Sequence, residues 1–170
     1  ASPYYQHQLT GGSAPTSWQV DTLGRVFVGG VTYSNFHQIV GNSPDDKLIG
    51  PAMDVNWTID GPDEGSLNAG PFSCVFSGVE NLTGSSAVDR FAVTSGGSLS
   101  GMINGGSGAD ELDLSDPHFN YAVTVSTPIG NVSGVVEAFR GIEQIVVDNS
   151  PLLNTLAGGV TATSWRLNEL

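Results

Sequence analysis

Basic residues are scarce in this chain: one lysine and four arginines, Lys47, Arg25, Arg90, Arg140 and Arg166, are scattered singly among seventeen Asp and Glu. A duplex or RNA binder needs a face rich in Lys and Arg to displace counterions, so nucleic acid is excluded as a partner. Long apolar runs are missing too. Nowhere do about eighteen consecutive apolar residues occur, the length at which a spanning helix becomes a candidate, so no membrane span is expected. Cys74 is the single cysteine and permits no internal disulfide. Segments with apolar residues at helical spacing are absent as well. Twenty-three glycines and nine prolines would break helices repeatedly, which predicts an all-β chain.

What is present is enough to fold. Hydrophobic residues make up 39%, with seven Phe, four Tyr and three Trp, more than a disordered chain carries. The formal charge of −12, with abundant Gly, Ser, Thr and Asn, is typical of proteins secreted by bacteria or archaea and sets an extracellular or cell-surface expectation. The N-terminal Ala-Ser-Pro has no basic or apolar signal region, so any export signal is expected to be removed already or to lie outside this stretch.

An internal repeat organises the sequence. Trp18, Trp57 and Trp165 are each preceded nine positions earlier by a leucine, Leu9, Leu48 and Leu156, and a glycine follows each leucine by two. A second element aligns Tyr33-Ser-Asn-Phe36-His-Gln-Ile39 with Phe76-Ser-Gly-Val79-Glu-Asn-Leu82 and with Phe139-Arg-Gly-Ile142-Glu-Gln-Ile145. Turn signals near Gly41, Gly61, Gly84, Gly105, Ser126 and Val147 recur about every twenty-one residues, a solenoid period. Between them, runs such as Val55-Trp57-Ile59, Tyr121-Val123-Val125 and Val132-Gly134-Val136 alternate apolar and polar positions, as a half-buried strand does. The expected fold is a right-handed parallel β-helix, a β-solenoid, forming a single domain over residues 1–170 with units starting near 9, 48 and 156. A β-sandwich is the alternative. Roughly eight coils would account for the whole length, each burying its apolar face on its neighbours.

The most specific local motif is Gly105-Gly-Ser-Gly-Ala-Asp110-Glu-Leu112. It fits the calcium-binding nonapeptide pattern, in which glycines free the turn to expose carbonyl oxygens and the aspartate supplies a charged ligand. Calcium takes six to eight oxygens, so one turn must stack on another. Gly84-Ser-Ser-Ala-Val-Asp89 and Gly41-Asn-Ser-Pro-Asp-Asp46 are degraded copies that keep the first glycine and the aspartate. A cation between the turns at 84 and 105 would take Asp89, Asp110 and the carbonyls of Gly84, Ser86, Gly105 and Ser107. The alternative is a metal-free stacked turn whose aspartate accepts backbone N–H bonds. Asp46, Asp89 and Asp110 occupy matching positions, which predicts a ladder of like charges needing an offsetting cation or donors.

The stretch from Val55 to Leu114, with Trp57-Thr-Ile-Asp-Gly, Phe76-Ser-Gly-Val-Glu-Asn-Leu-Thr-Gly84 and Leu99-Ser-Gly-Met-Ile-Asn-Gly-Gly-Ser-Gly-Ala-Asp-Glu-Leu112, resembles repeat units of very large bacterial surface and secreted proteins. Those units are similar to the repeats-in-toxin, or haemolysin-type calcium-binding, group and its adhesin relatives. The resemblance implies an extracellular, non-catalytic structural or adhesive role. The strict nonapeptide occurs once here, and the coil is longer than the family's eighteen-residue one.

Other residue groups carry weaker signals. The carboxylate pairs Asp63 with Glu64, Asp110 with Asp113 and Asp45 with Asp46 all sit in turn-like sequence, where solvated surface charge is the ordinary reading, and none comes with the further groups that a catalytic constellation needs. His7, His37 and His118 show no metal spacing, and Cys74 lies in the apolar run Phe72 to Phe76, as a packed thiol does. Asn56, Asn81 and Asn131 open Asn-x-Ser/Thr triplets, candidate glycan acceptors that chance also supplies in a chain this rich in Asn, Ser and Thr. The tryptophans read as core. The functional expectation is a non-enzymatic, extracellular β-solenoid, a module or self-assembling subunit of an adhesin, matrix or filament, with calcium as the one candidate ion. Its expected partners are copies of itself end to end, neighbouring repeats of a larger chain, or surface glycans. A calcium- or glycan-binding module is the alternative, and a polysaccharide-active β-helix enzyme comes third.

Overall fold

A computed structural model describes residues 7–116, 122–125, 129–147 and 155–158. Strands form two sheets. The first holds, in spatial order, β1 (Gln8–Thr10), β5 (Gln38–Val40), β9 (Phe72–Ser77), β8 (Glu64–Ala69), β7 (Val55–Gly61), β11 (Asp89–Val93), β13 (Glu111–Leu114) and β17 (Gln144–Val147). The second holds β18 (Thr155–Gly158), β14 (Ala122–Val125), β15 (Gly130–Val132), β16 (Val136–Arg140), β12 (Leu99–Asn104), β10 (Asn81–Thr83), β6 (Lys47–Ile49), β2 (Ser17–Val20), β3 (Val26–Val28) and β4 (Val31–Tyr33). From β5 to β7 and from β9 to β13 the chain crosses from sheet to sheet, apart from the hairpins that keep β7, β8 and β9 together, and lays its strands parallel to those of the coil before. The fold is a β-solenoid of about four turns.

Four turns are fewer than the eight the period predicts, because three of the coils carry insertions. The undecorated coil shows the expected length: Arg90 pairs with Glu111 and Asp89 bonds to Asp110, each twenty-one residues on. Elsewhere β3 and β4 extend the second sheet as an antiparallel meander, β8 is an antiparallel strand between β7 and β9, and β14 and β15 intervene before β16. The repeat is also finer than the tryptophans imply. Trp18 lies in the second sheet and Trp57 in the first, so the self-similar unit is half a coil, one strand and one corner. Likewise Phe76 to Leu82 passes from the first sheet to the second, whereas Phe139 to Ile145 passes back.

Parallel register stacks like side chains on like. Trp18, Leu48, Leu82, Ile103 and Phe139 face one another along the second sheet. Trp57, Phe91, Leu112 and Ile145 do so along the first. All but the half-buried Ile145 are buried in one core. Trp57 stacks on Phe91 with centroids 5.6 Å apart and 9° between planes. Burying each such side chain contributes about 1.5–3 kcal/mol. The alternation of buried and exposed positions along β7 is the period-2 pattern that the sequence shows at Val55, Trp57 and Ile59. Trp165, Tyr121 and His118 lie outside the described residues.

Candidate functional site: two carboxylate-capped corners

Each crossing between sheets is a corner whose backbone N–H groups need acceptors, and acidic residues supply them. The turn from Gly41 to Asp46 leads from the first sheet to the second, whereas those from Gly84 to Asp89 and from Gly105 to Asp110 lead from the second to the first. The three aspartates therefore do not form one ladder. Asp46 belongs to one corner of the solenoid, and Asp89 with Asp110 to the other, because sequence equivalence at the half-coil repeat does not distinguish the direction of crossing.

In the first corner, Asp46 Oδ1 accepts the Thr16 N–H at 2.5 Å and Oδ2 accepts those of Asn42 and Ser43 at 2.8 and 3.0 Å. The Asp46 N–H donates in turn to the Glu80 carboxylate, 2.8 Å away. The second corner repeats the scheme. Asp89 Oδ2 accepts the N–H and hydroxyl of Ser85 at 2.7 and 3.3 Å, the Asp89 N–H donates to Asp110 Oδ1 at 2.9 Å, and the Asp110 N–H donates to Glu143 Oε2 at 2.8 Å. Each carboxylate thus caps a corner of the coil beside it. Thr16, Glu80 and Glu143 are the members that sequence reasoning missed. The signal was available: Thr16 stands five residues after Gly11, as each aspartate does after its glycine, and Glu80 and Glu143 share one slot of the aligned segments.

The leading glycine of each turn has a steric role. A Cβ on Gly41, Gly84 or Gly105 would stand 2.7, 2.5 or 2.6 Å from the Oδ2 of Asp46, Asp89 or Asp110, because the aspartate folds back over that glycine. Gly141 and Gly78, which open the Glu143 and Glu80 corners, take φ of 57° and 62°. That left-handed conformation is nearly free for glycine alone.

Asp46, Asp89 and Asp110 are completely buried. Burial pushes Asp89 up to about 6; the Ser85 hydrogen bonds pull it back, and the neighbouring Asp110 charge raises it further. The Trp57 indole lies close enough to lower it slightly without closing a hydrogen bond, so Trp57 Nε1, Asp89 Oδ1 and Asp110 Oδ2 are all buried and unpartnered. Burial also raises Asp110, with the Asp89 N–H opposing and the Glu143 charge adding to it. Glu80 is raised by burial first, against its bond from the Asp46 N–H.

The six candidate calcium ligands divide. Gly84, Asp89, Gly105 and Asp110 are buried together in the second corner, while Ser86 and Ser107 are exposed above it. The Ser107 N–H donates to the Ser85 carbonyl at 2.9 Å, stitching the two turns through backbone. Among the described residues, no group of three or more His, Cys, Asp and Glu is arranged to hold a metal ion. The geometry is that of the stacked turn whose aspartates accept N–H bonds, with two carboxylate oxygens left over.

Four of the paired carboxylates, Asp46, Asp63, Asp110 and Asp113, have local duties. Asp63 accepts the N–H and hydroxyl of Ser100 at 2.8 and 2.9 Å, and buried Asp113 takes the guanidinium of Arg90, which also binds Glu111 at 2.9 Å. Cys74 is buried in β9 and its thiol is pushed up to about 12 by that burial. Asn56 and Asn131 are exposed, whereas Asn81 is held between coils, donating to the Asp46 carbonyl and accepting the Met102 N–H. Among the described residues, no helix is long and apolar enough to cross a membrane. The chain matches no protein-family model, no curated protein and no solved structure.

Proposed function

We propose that this chain is a non-enzymatic extracellular structural protein, a β-solenoid module or self-assembling subunit of a surface adhesin, matrix or filament. The observation that carries the reading is the in-register stacking of coils, in which core ladders and carboxylate caps both run from coil to coil. Such an architecture is quasi-one-dimensional and lengthens by adding coils. Engagement of the acidic pairs in corners and ion pairs supports a structural use for groups that catalysis would otherwise claim. Electron microscopy and sedimentation of purified protein at rising concentration test it. Elongated assemblies are expected, and a strictly monomeric short particle at high concentration, with and without calcium, overturns the self-assembling form.

A second reading rests on the two unpartnered oxygens, Asp89 Oδ1 and Asp110 Oδ2, which a cation would satisfy. Calcium then stabilises the second corner. Thermal melting of the parent and of Asp110→Ala, each with calcium and with chelator, tests this. A midpoint that rises with calcium only in the parent supports the site, and equal responses of parent and variant to the ion remove it.

A further inference from the structure

The outermost described strands of the first sheet are β1 and β17. Every strand of that sheet except β8 runs in the same direction. A second copy displaced along the sheet therefore brings its β1 beside β17 in the parallel sense that the sheet already uses.

The two strands also match in sequence. β1 reads Gln8-Leu9-Thr10, and inside the chain it pairs with Gln38-Ile39-Val40 of β5, Gln on Gln, Leu on Ile and Thr on Val. β17 opens with Gln144-Ile145-Val146, the same three residues as β5. Leu9 and Ile145 are half-buried against the core, while Gln8 and Gln144 are exposed. A pairing of Gln144 with Gln8 thus keeps aliphatic side chains inside and extends the Gln8–Gln38 pair into a run of three glutamines. One residue earlier, exposed Glu143 comes opposite exposed His7, an acid against one of the chain's few groups that can carry positive charge. Among the described residues neither β1 nor β17 has a strand on its outer side, an edge of that kind presents N–H and C=O groups for pairing, and the strand most like the native partner of β1 sits at the opposite end of the sheet.

We propose that β17 of one copy pairs with β1 of a second copy, head to tail, in the register Gln144–Gln8, Ile145–Leu9 and Val146–Thr10. The inference rests on the structural-solenoid reading and names the surface through which such a chain lengthens. The contact is heterologous, so it repeats without closing and gives open filaments. A three-residue ladder is small against the ~1,200 Å² buried by a stable specific interface, so association depends strongly on concentration.

Site-specific cross-linking tests the junction. Gln8→Cys and Gln144→Cys are made separately and mixed with a short bismaleimide. Cys74, buried with its thiol pushed up to about 12, does not compete. The expected result is a covalent dimer formed at least tenfold faster in the mixture than in either variant alone, and a ladder of multimers from the double variant. Mixed and single samples cross-linking at equal rates overturn the junction. As a measurement without cross-linker, the variant Gln8→Lys with Gln144→Lys places like charges opposite each other across the junction. It should sediment as a single chain at concentrations where the parent associates, and association equal to the parent's overturns the register. Elongated particles that lack the cross-link sink this junction and leave the structural reading standing. A parent that stays monomeric and never cross-links overturns the junction together with the self-assembling form of that reading.

Discussion

The backbone N–H of Asp89 donates to Oδ1 of Asp110, one coil on, at 2.9 Å, and both residues are completely buried. One side chain therefore serves as a corner cap and as the contact between successive coils. Its second oxygen has no partner, which places an uncompensated acceptor inside the solenoid.

Asp110→Ala is expected to destabilise the protein by about 1–3 kcal/mol, since it leaves the Asp89 N–H buried without an acceptor. Asp110→Asn keeps that acceptor and removes the repulsion from Asp89 and Glu143, so it should stay within ~1 kcal/mol of the parent at neutral pH or exceed it. Urea unfolding at pH 7 separates the two, and an asparagine variant as damaged as the alanine one contradicts the account.

Acidification should stabilise this protein before it harms it. Asp89 titrates at about 6 in the folded chain, against the ordinary aspartate value of 3.8 that it regains on unfolding, so between those values the folded state holds a proton that the unfolded state has released. Stability therefore falls as pH rises from about 4 to about 6, by at most ~3 kcal/mol, and stays at the lower level above. Asp110 and Glu80 are shifted the same way and add to the trend. Melting temperature measured across that window should decline for the parent and decline less steeply for Asp89→Asn; a parent midpoint that climbs with pH refutes the sign.

Gly105→Ala should cost about 1–3 kcal/mol or more, because the new methyl group runs into the Gly141 carbonyl and the Asp110 carboxylate. Gly12→Ala is the control. Its Cβ would meet only the Ala14 nitrogen, at 4.0 Å, and stability should hold or rise by a few tenths of a kcal/mol through a less flexible unfolded chain. Equal effects in thermal melts would show that the corner has room to relax.

Arg90→Ala is expected to cost about 1–3 kcal/mol because it strips the cation from buried Asp113. Arg25→Ala breaks the more exposed pair with Asp21 and should cost less than ~1 kcal/mol, falling further in high salt. Denaturation of both variants at low and high ionic strength gives the comparison, and an inverted order argues against the burial of Asp113.

Much of the fold was legible in residue spacing. The alternation Val55, Trp57, Ile59 is the buried face of β7, the twenty-one-residue period is the register offset between β11 and β13, and Trp18 and Trp57 are core as their context predicts. The leading glycine and following aspartate marked the corners correctly. Hidden from the spacing were the insertions, which halve the number of turns, and the roles of Thr16, Glu80 and Glu143, whose acceptors and donors lie thirty or more residues away.

Composition and periodicity alone, then, settle that this chain is all-β, that it repeats, and which residues face inward, because a strand's two-residue alternation and a turn's glycine are local requirements. They leave open which corner each repeat occupies. A half-coil has the same pattern whether it crosses from the first sheet to the second or back, so Asp46 and Asp89 look equivalent in sequence and stand in different corners. That assignment comes from the stacking of one coil on the next, where the backbone N–H of one turn finds the carboxylate of another.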